Sequence, residues 1–397
     1  MISHPAQQHS YLLAAAMEEK NIDYKYITTS YYKKNTFTKL IADKVLKGDS
    51  KTRALSRCSE HINSKNVLVF CESLNLVLLL LQRLDRKKRL YNKLKEYLNR
   101  MFAKKLAKYL IENNVEKVVV FDQYYNYLID YLGIHISNLE IILDMSAPNY
   151  SFMTKEFKAN LPCYMESELD KNLGYNGDRE IVNANKILVA SDYTIKSIIE
   201  TCNANTANIF KCVYGLDLFK DKWKKTENNL NVLFIGRLNK KKGFHIFNDL
   251  ARNYLDNDRV KFTAIGSKFN DGIELSGNIS LTGHIPREMV ESYLSDADIL
   301  IMPSLSDGFG KVVLEAMSYG VAVICSANTG ASDLITDGEN GYIFDIKDDS
   351  SLRDCFYEIV NNSDFLDTLK KNSLMSSKKF TVNNYYDAVS KAILCEI

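Results

Sequence analysis

The sequence predicts an α/β protein built from two successive doubly wound units, each a parallel sheet with helices on both faces. Three observations carry the prediction. Short strands alternate with helical stretches up to residue 213 and again from residue 231 onward. Largely apolar runs such as Val115–Phe121, Lys186–Ala190 and Asp298–Met302 have the pattern of strands covered on both sides. And 397 residues exceed what one hydrophobic core holds.

Taken in order, Met1-Ile2-Ser3 is a clipped first strand, followed by a helix over Gln8–Lys20 and an alternating strand over Asp23–Thr28. His4, Gln7, Gln8 and His9 fall in the loop after the first strand, where either substrate contact or helix capping is expected. Residues 31–66 are polar and basic and take no firm assignment. Residues 73–112 read as helical, with Leu90, Leu94, Leu98, Met101, Leu106 and Leu110 at helix spacing. Ten basic residues between 86 and 108 make this either an element for an anionic membrane surface or a solvated helix face. Strands follow at Val115–Phe121 and Leu139–Leu143, the latter ending at Asp144. The polar helical stretch 151–185 groups Glu166, Glu168 and Asp170. Lys186–Ala190, a helix Tyr193–Cys202 and Asn208–Val213 complete a first unit of residues 1–217.

Residues 218–230, charged and aperiodic, read as a linker. A second unit of residues 231–379 repeats the alternation: Asn231–Ile235, Lys261–Ile265, Ile279–Thr282, Asp298–Met302, Val321–Cys325 and Gly341–Phe344 as strands. Residues 380–397 hold a final helix with Tyr385, Tyr386, Val389 and Ile393 on one side, suited to packing back on the first unit.

The bulk numbers exclude several classes. A net charge of +2 gives no global reason to expect nucleic acid. Eight scattered cysteines without a C-x-x-C pair argue against a zinc ribbon and fit reduced thiols in a cytoplasm. The first ten residues have neither the basic start nor the apolar run of a signal peptide, and no run is long enough for a membrane span.

The chemistry concentrates in the second unit. Gly236 and Gly243 bracket a turn that places Arg237 and Lys242 beside a strand end and a helix start, which suits a diphosphate. Pro303–Gly310 forms a second strand-end loop, whose glycines let backbone approach a ligand before the helix Lys311–Tyr319. Asp307 and Glu315 flank that anion site. Glu315 is suited to two ribose hydroxyls, Asp307 to hydroxyls farther along.

The stretches GRLNKKKG (236–243), GHIP (283–286), SDADILIMPSLSDGFGKVVLEAMSYGVAVI (295–324) and TGASDLITDGENGYIF (329–344) resemble the donor-binding domain of retaining glycosyltransferase family 4, which has the two-domain GT-B fold. SDYT (191–194) and YGLD (214–217) extend the resemblance loosely into the first half. It implies two Rossmann-like domains facing across a cleft, a nucleotide-sugar donor (UDP- or GDP-linked), and no metal or other cofactor. It implies that Arg237 and Lys242 hold the diphosphate, Glu315 the ribose and Asp307 the transferred sugar, with Arg237, Lys242 and Asp307 catalytic. Gly236, Gly266, His284, Ile285, Gly308, Phe309, Gly310, Lys311 and Val312 complete the donor set. The family's Glu-x7-Glu pair is here Asp307 and Glu315, and the aspartate withdraws its carboxylate by about 1.5 Å. His4, His9 and Asp144 are the acceptor-side candidates, where the family often has a glycine-rich loop and a histidine. The expected activity is transfer to a saccharide or lipid-linked saccharide in surface polysaccharide synthesis, at the inner face of the membrane. The competing expectations are a soluble synthase-like or epimerase enzyme and a non-catalytic nucleotide-sugar binder.

Overall fold

The computed structural model describes the chain apart from residues 7–8, 86–87, 133–137, 161–170, 203, 218, 221–222, 268–271, 349 and 396–397. Gln7, Gln8, Arg86, Lys87 and the group Glu166, Glu168 and Asp170 therefore lie outside the described residues.

Two parallel sheets organise the molecule. The first has seven strands in the order β3-β2-β1-β4-β5-β6-β7. These are β1 (Ile2–Ser3), β2 (Tyr26–Thr28), β3 (Val67–Val69), β4 (Lys117–Phe121), β5 (Glu140–Met145), β6 (Lys186–Val189) and β7 (Ile209–Lys211). The second has six, β10-β9-β8-β11-β12-β13. Its strands are β8 (Leu230–Ile235), β9 (Val260–Ile265), β10 (Ile279–Gly283), β11 (Ile299–Met302), β12 (Ala322–Ser326) and β13 (Tyr342–Phe344). In each sheet the order reverses beside the first strand, between β1 and β4 and between β8 and β11. Such switch points leave a crevice at the strands' carboxyl ends. The predicted doubly wound α/β class, with the GT-B arrangement of two Rossmann-like domains, is the observed one.

The helices show where local signals fell short. After α1 (Ser10–Glu19), the region 31–66 folds as α2 (Phe37–Lys44) and α3 (Gly48–Leu55) and leads into β3. The Glu72 carboxylate accepts the Phe37 and Thr38 amides at 3.0 and 2.8 Å, so a distant side chain caps α2. β3 is a three-residue edge strand, too short to show alternation, and the sequence reading missed it. The single helical stretch over 73–112 is two helices, α4 (Glu72–Leu84) and α5 (Arg89–Glu112). Lys88 adopts a left-handed φ of 52°, and Asp85 Oδ2 accepts the Tyr91 amide at 2.9 Å, which starts α5 afresh. On α5 the face carrying Leu98, Phe102, Leu106 and Leu110 is buried, while Leu90 and the lysines are exposed. Among the described residues no helix is long and apolar enough to cross a membrane.

The last helix, Val382–Leu394, lies on the first unit through Tyr385, Tyr386, Val389 and Ile393. The buried Lys186 ammonium ties it down, meeting Glu140 Oε1 at 2.7 Å and the Ala392 carbonyl at 3.2 Å. Lys20 pairs with Asp387 on the same helix.

Candidate active site between the two sheets

The donor-side loops are held together by backbone contact. Gly243 has φ +73°, and a Cβ there would fall 1.7 Å from the Pro303 carbonyl oxygen, so only glycine allows this approach. Leu305 N donates to Lys241 O at 3.0 Å. The turns after β8 and β11 are thereby joined, and Lys242 Nζ reaches Asp307 Oδ2 at 2.5 Å. The two residues assigned above to diphosphate and sugar thus form an ion pair in the cleft. Asp307 is fixed from behind, where its N–H donates to Asn328 O at 3.0 Å and its carbonyl accepts from Gly330 N at 2.9 Å. Gly310, at φ +74°, starts the helix Lys311–Ser318, and Lys311 and Val312 of its first turn line the same space.

The remaining donor-side candidates spread outward. Arg237 is exposed, and its guanidinium has no partner among the described residues. Gly266 packs its backbone on Gly236 and donates its N–H to Gly283 O at 2.9 Å, keeping the ends of β8, β9 and β10 in contact. His284 is exposed and Ile285 partly so. Glu315 lies outside the lining of the cleft and meets Arg287 at 3.2 Å, a partner the sequence reading did not name. Burial raises the Glu315 pKa against the pull of Arg287 and Lys311.

Opposite stands a compact acid–base cluster. His4, Asp122 and Asp144 are all buried, at 3%, 8% and 5% exposure. His9 Nε2 is 2.9 Å from Asp144 Oδ1, a close charge contact in which the N–H is not well aligned. Burial opposes charging of His9, but the carboxylates of Asp144 and then Asp122 outweigh it, and its pKa is raised. Asp122 Oδ1 accepts from Ser146 Oγ at 3.0 Å and from Ser146 N at 3.3 Å. Desolvation nonetheless raises the Asp122 pKa. The sequence reading missed Asp122 and Ser146 as site residues. Asp122 follows β4 directly, the same strand-end signal that singled out Asp144, which lies at the carboxyl end of β5.

Tyr214, also missed, connects the parts. Its ring lies edge-on to His9 at 5.4 Å and to Phe309 at 5.3 Å, and it touches Tyr385 of the last helix. The Lys311 ammonium sits over it, 4.4 Å from the centroid. Although much of Lys311 is exposed, lost hydration at that seat lowers its pKa. Around these groups lies a cleft of about 410 Å³, lined from one side by His9, Ser146 and Tyr214 and from the other by Lys242, Asp307 and Lys311. The units meet at its edge, where Ser191 Oγ donates to Gly308 O at 2.7 Å and Lys211 bridges Asp192 and Asp333 at 2.8 and 2.7 Å. A larger cavity of about 820 Å³ opens in the first unit between β1, α4 and α5, with His4 and Asp122 in its wall.

Residues 217–374 match the family described as Glycosyl transferases group 1. The chain is 27% identical over 224 residues to an uncharacterized glycosyltransferase of Methanocaldococcus jannaschii, covering 55% of this chain and 53% of that protein. It is 27% identical over 214 residues to an uncharacterized protein of the cps region of Klebsiella pneumoniae, covering 50% and 56%. The chain thus spans about half the length of these curated relatives. The structure of HepE of Anabaena in complex with UDP-glucose superposes with a TM-score of 0.62 at 14% identity, over 98% of this chain and 97% of that one. The chain has the GT-B architecture, and its second half is similar to the glycosyl transferases of group 1.

Proposed function

We propose that this protein is a retaining, metal-independent glycosyltransferase. It moves a hexosyl group from a UDP- or GDP-sugar to a hydroxyl of a saccharide or lipid-linked saccharide, in bacterial surface polysaccharide synthesis. The observation that carries the reading is the convergence on one cleft of a cation–carboxylate pair and helix N-terminus from one unit and a His–Asp cluster from the other.

In this reading the diphosphate settles on the amides of Lys311 and Val312 and takes Lys242 from Asp307. Arg237, with no competing partner among the described residues, folds over it from the rim. Asp307, released, accepts hydroxyls of the sugar. Glu315 exchanges Arg287 for the ribose. As the bond from the anomeric carbon to the β-phosphate oxygen breaks, the acceptor oxygen bonds to that carbon on the same face, and its proton passes to the departing diphosphate. The negative charge that grows on the diphosphate falls among fixed cations and amides, the arrangement that lowers such a barrier most. His9 and Asp144 orient the acceptor beside the sugar. The basic face of α5 rests on anionic lipid at the inner side of the membrane, residues 1–217 and 231–379 moving as two domains about the linker.

A thermal-stability panel of UDP-, GDP-, ADP- and CMP-sugars tests the reading. The right nucleotide at a hundredfold excess over its dissociation constant stabilises by about 2.7 kcal/mol. No shift with any of them, together with no nucleotide release in the presence of saccharides, sinks the proposal.

A further inference from the structure

The two units are joined through the N-terminus of one helix, and the join falls on the donor loop. Ser191 Oγ caps the helix Asp192–Cys202 by accepting Thr194 N at 3.2 Å, and it donates to Gly308 O of the second unit at 2.7 Å. Thr194 Oγ1 reaches the same carbonyl at 3.4 Å, and Tyr193 Oη donates to Ser306 Oγ at 3.3 Å. In return the second unit supplies Asp333. Its Oδ2 accepts Asp192 N at 2.8 Å and Lys211 Nζ at 2.7 Å, and Lys211 also holds Asp192 Oδ2 at 2.8 Å. A carboxylate at a helix N-terminus is favourable, and here it comes from the opposite unit. The Asp333 side chain is only 11% exposed, so salt screens the pair less than it would a surface pair. Gly330 keeps the approach open: a Cβ there would lie 2.1 Å from Gly308 O and 2.5 Å from Ser191 Oγ.

The Gly308 carbonyl receives no hydrogen bond from its own unit among the described residues, so its direction is set by the first unit. The peptide it belongs to is trans, and a trans peptide points its N–H opposite to its C=O. The hydroxyls that draw Gly308 O toward the first unit therefore turn Phe309 N–H the other way. That N–H has no acceptor among the described residues, and Phe309 lines the cleft close to Asp307. Asp307 itself is held within the second unit, through Asn328 and Gly330. The donor loop thus has one part fixed by its own unit and the next peptide fixed by the other.

Resting on the transferase reading above, we infer that Ser191 and Asp333 are positioning residues for the transfer. Ser191 sets the Gly308–Phe309 peptide beside the transferred sugar, and Asp333 with Lys211 secures the helix from which Ser191 acts. Neither touches the donor. The diphosphate needs only the second unit, whereas the loop takes its working shape for the sugar only with the units docked.

The test compares Ser191→Ala, Asp333→Asn, Lys211→Met and Lys211→Arg in the full chain. Each is titrated calorimetrically with the nucleoside diphosphate that the stability panel selects. Its kcat and KM are measured by nucleotide release from the matching nucleotide sugar in the presence of saccharides. Ser191→Ala, Asp333→Asn and Lys211→Met each lower kcat by about 3- to 10-fold, the value of one lost hydrogen bond, while diphosphate affinity stays within about twofold. Lys211→Met acts by leaving the Asp192 and Asp333 carboxylates facing each other, and Lys211→Arg keeps most of the turnover. Lys211→Met with Asp333→Asn costs less than the sum of the two, since both act on one pair. Should Ser191→Ala fail to fold, Lys211→Met, at a side chain 31% exposed, serves in its place. A lower melting temperature with unchanged kcat, or an equal loss of diphosphate affinity, overturns the inference. If the wild-type chain binds no nucleotide, the transferase reading falls, and hydrogen exchange decides the contact by itself. Faster exchange around Asp192 in Asp333→Ala leaves the hold between the units standing, and unchanged exchange overturns it.

Discussion

Gly308→Ala isolates the contact between the two units. Gly308 has ordinary backbone angles, so alanine adds no dihedral strain there. Its Cβ, however, would lie 2.2 Å from the Ser146 carbonyl oxygen, 2.9 Å from Ala147 Cα and 3.0 Å from Ser146 C. These are backbone atoms of the opposite unit and cannot swing aside as a side chain does. Relief comes by moving the units apart, which also stretches the bonds from Ser191 Oγ and Thr194 Oγ1 to Gly308 O. Overpacking of this kind costs about 1–3 kcal/mol. Acting on the observed arrangement alone, that shifts the open–closed equilibrium of the proposed two-domain motion by about 5- to 150-fold. Small-angle scattering then shows a larger radius of gyration, and transfer turnover falls by about tenfold or more. Nucleotide affinity, which the proposed site places within the second unit, stays within about threefold. An unchanged scattering curve and turnover would refute the steric argument. An equal loss of nucleotide affinity would place the damage in the donor loop instead.

Other predictions are more local. Lys242→Ala strips Asp307 of its ion-pair partner and weakens nucleotide-sugar binding by about 10- to 100-fold in a titration. Arg237→Ala acts in the same direction with no effect on melting, since that side chain is exposed; intact binding and transfer would remove it from the clamp. His9 has a raised pKa in the folded chain, so its charge contributes stability that is complete below its unfolded pKa, about 6.5, and fades as pH rises through the higher folded value. His9→Gln therefore flattens the melting-temperature profile from slightly acidic pH upward, and an unaltered profile contradicts the assignment. Lys186→Met leaves Glu140 with Lys117 alone and frees the Ala392 carbonyl, costing about 3–5 kcal/mol in denaturant unfolding.

Much of the fold was written locally. Val118–Phe121, Ile187–Val189 and Ile299–Met302 have the apolar pattern of doubly covered parallel strands, and glycines 243, 308 and 310 mark where neighbouring chain comes too close for a side chain. β3 and the α4–α5 break were not legible, because three residues show no period and the break depends on an Asp85 side chain folding onto the next helix. Within the candidate site, the sequence placed Lys242 and Asp307 around one donor and offered His9 and Asp144 as separate acceptor-side suggestions, each tied to a strand end.

What only the tertiary structure decided is which of these meet. Residues 65 apart in the chain, Lys242 and Asp307, pair because Gly243 admits the Pro303 carbonyl. Glu315 faces Arg287, and Tyr214 stands among His9, Phe309 and Lys311. Local sequence sets φ, ψ and the burial pattern of each element, but partner choice depends on chain-distant surfaces brought together by the strand order. That order is a property of the two assembled sheets and not of any stretch within them.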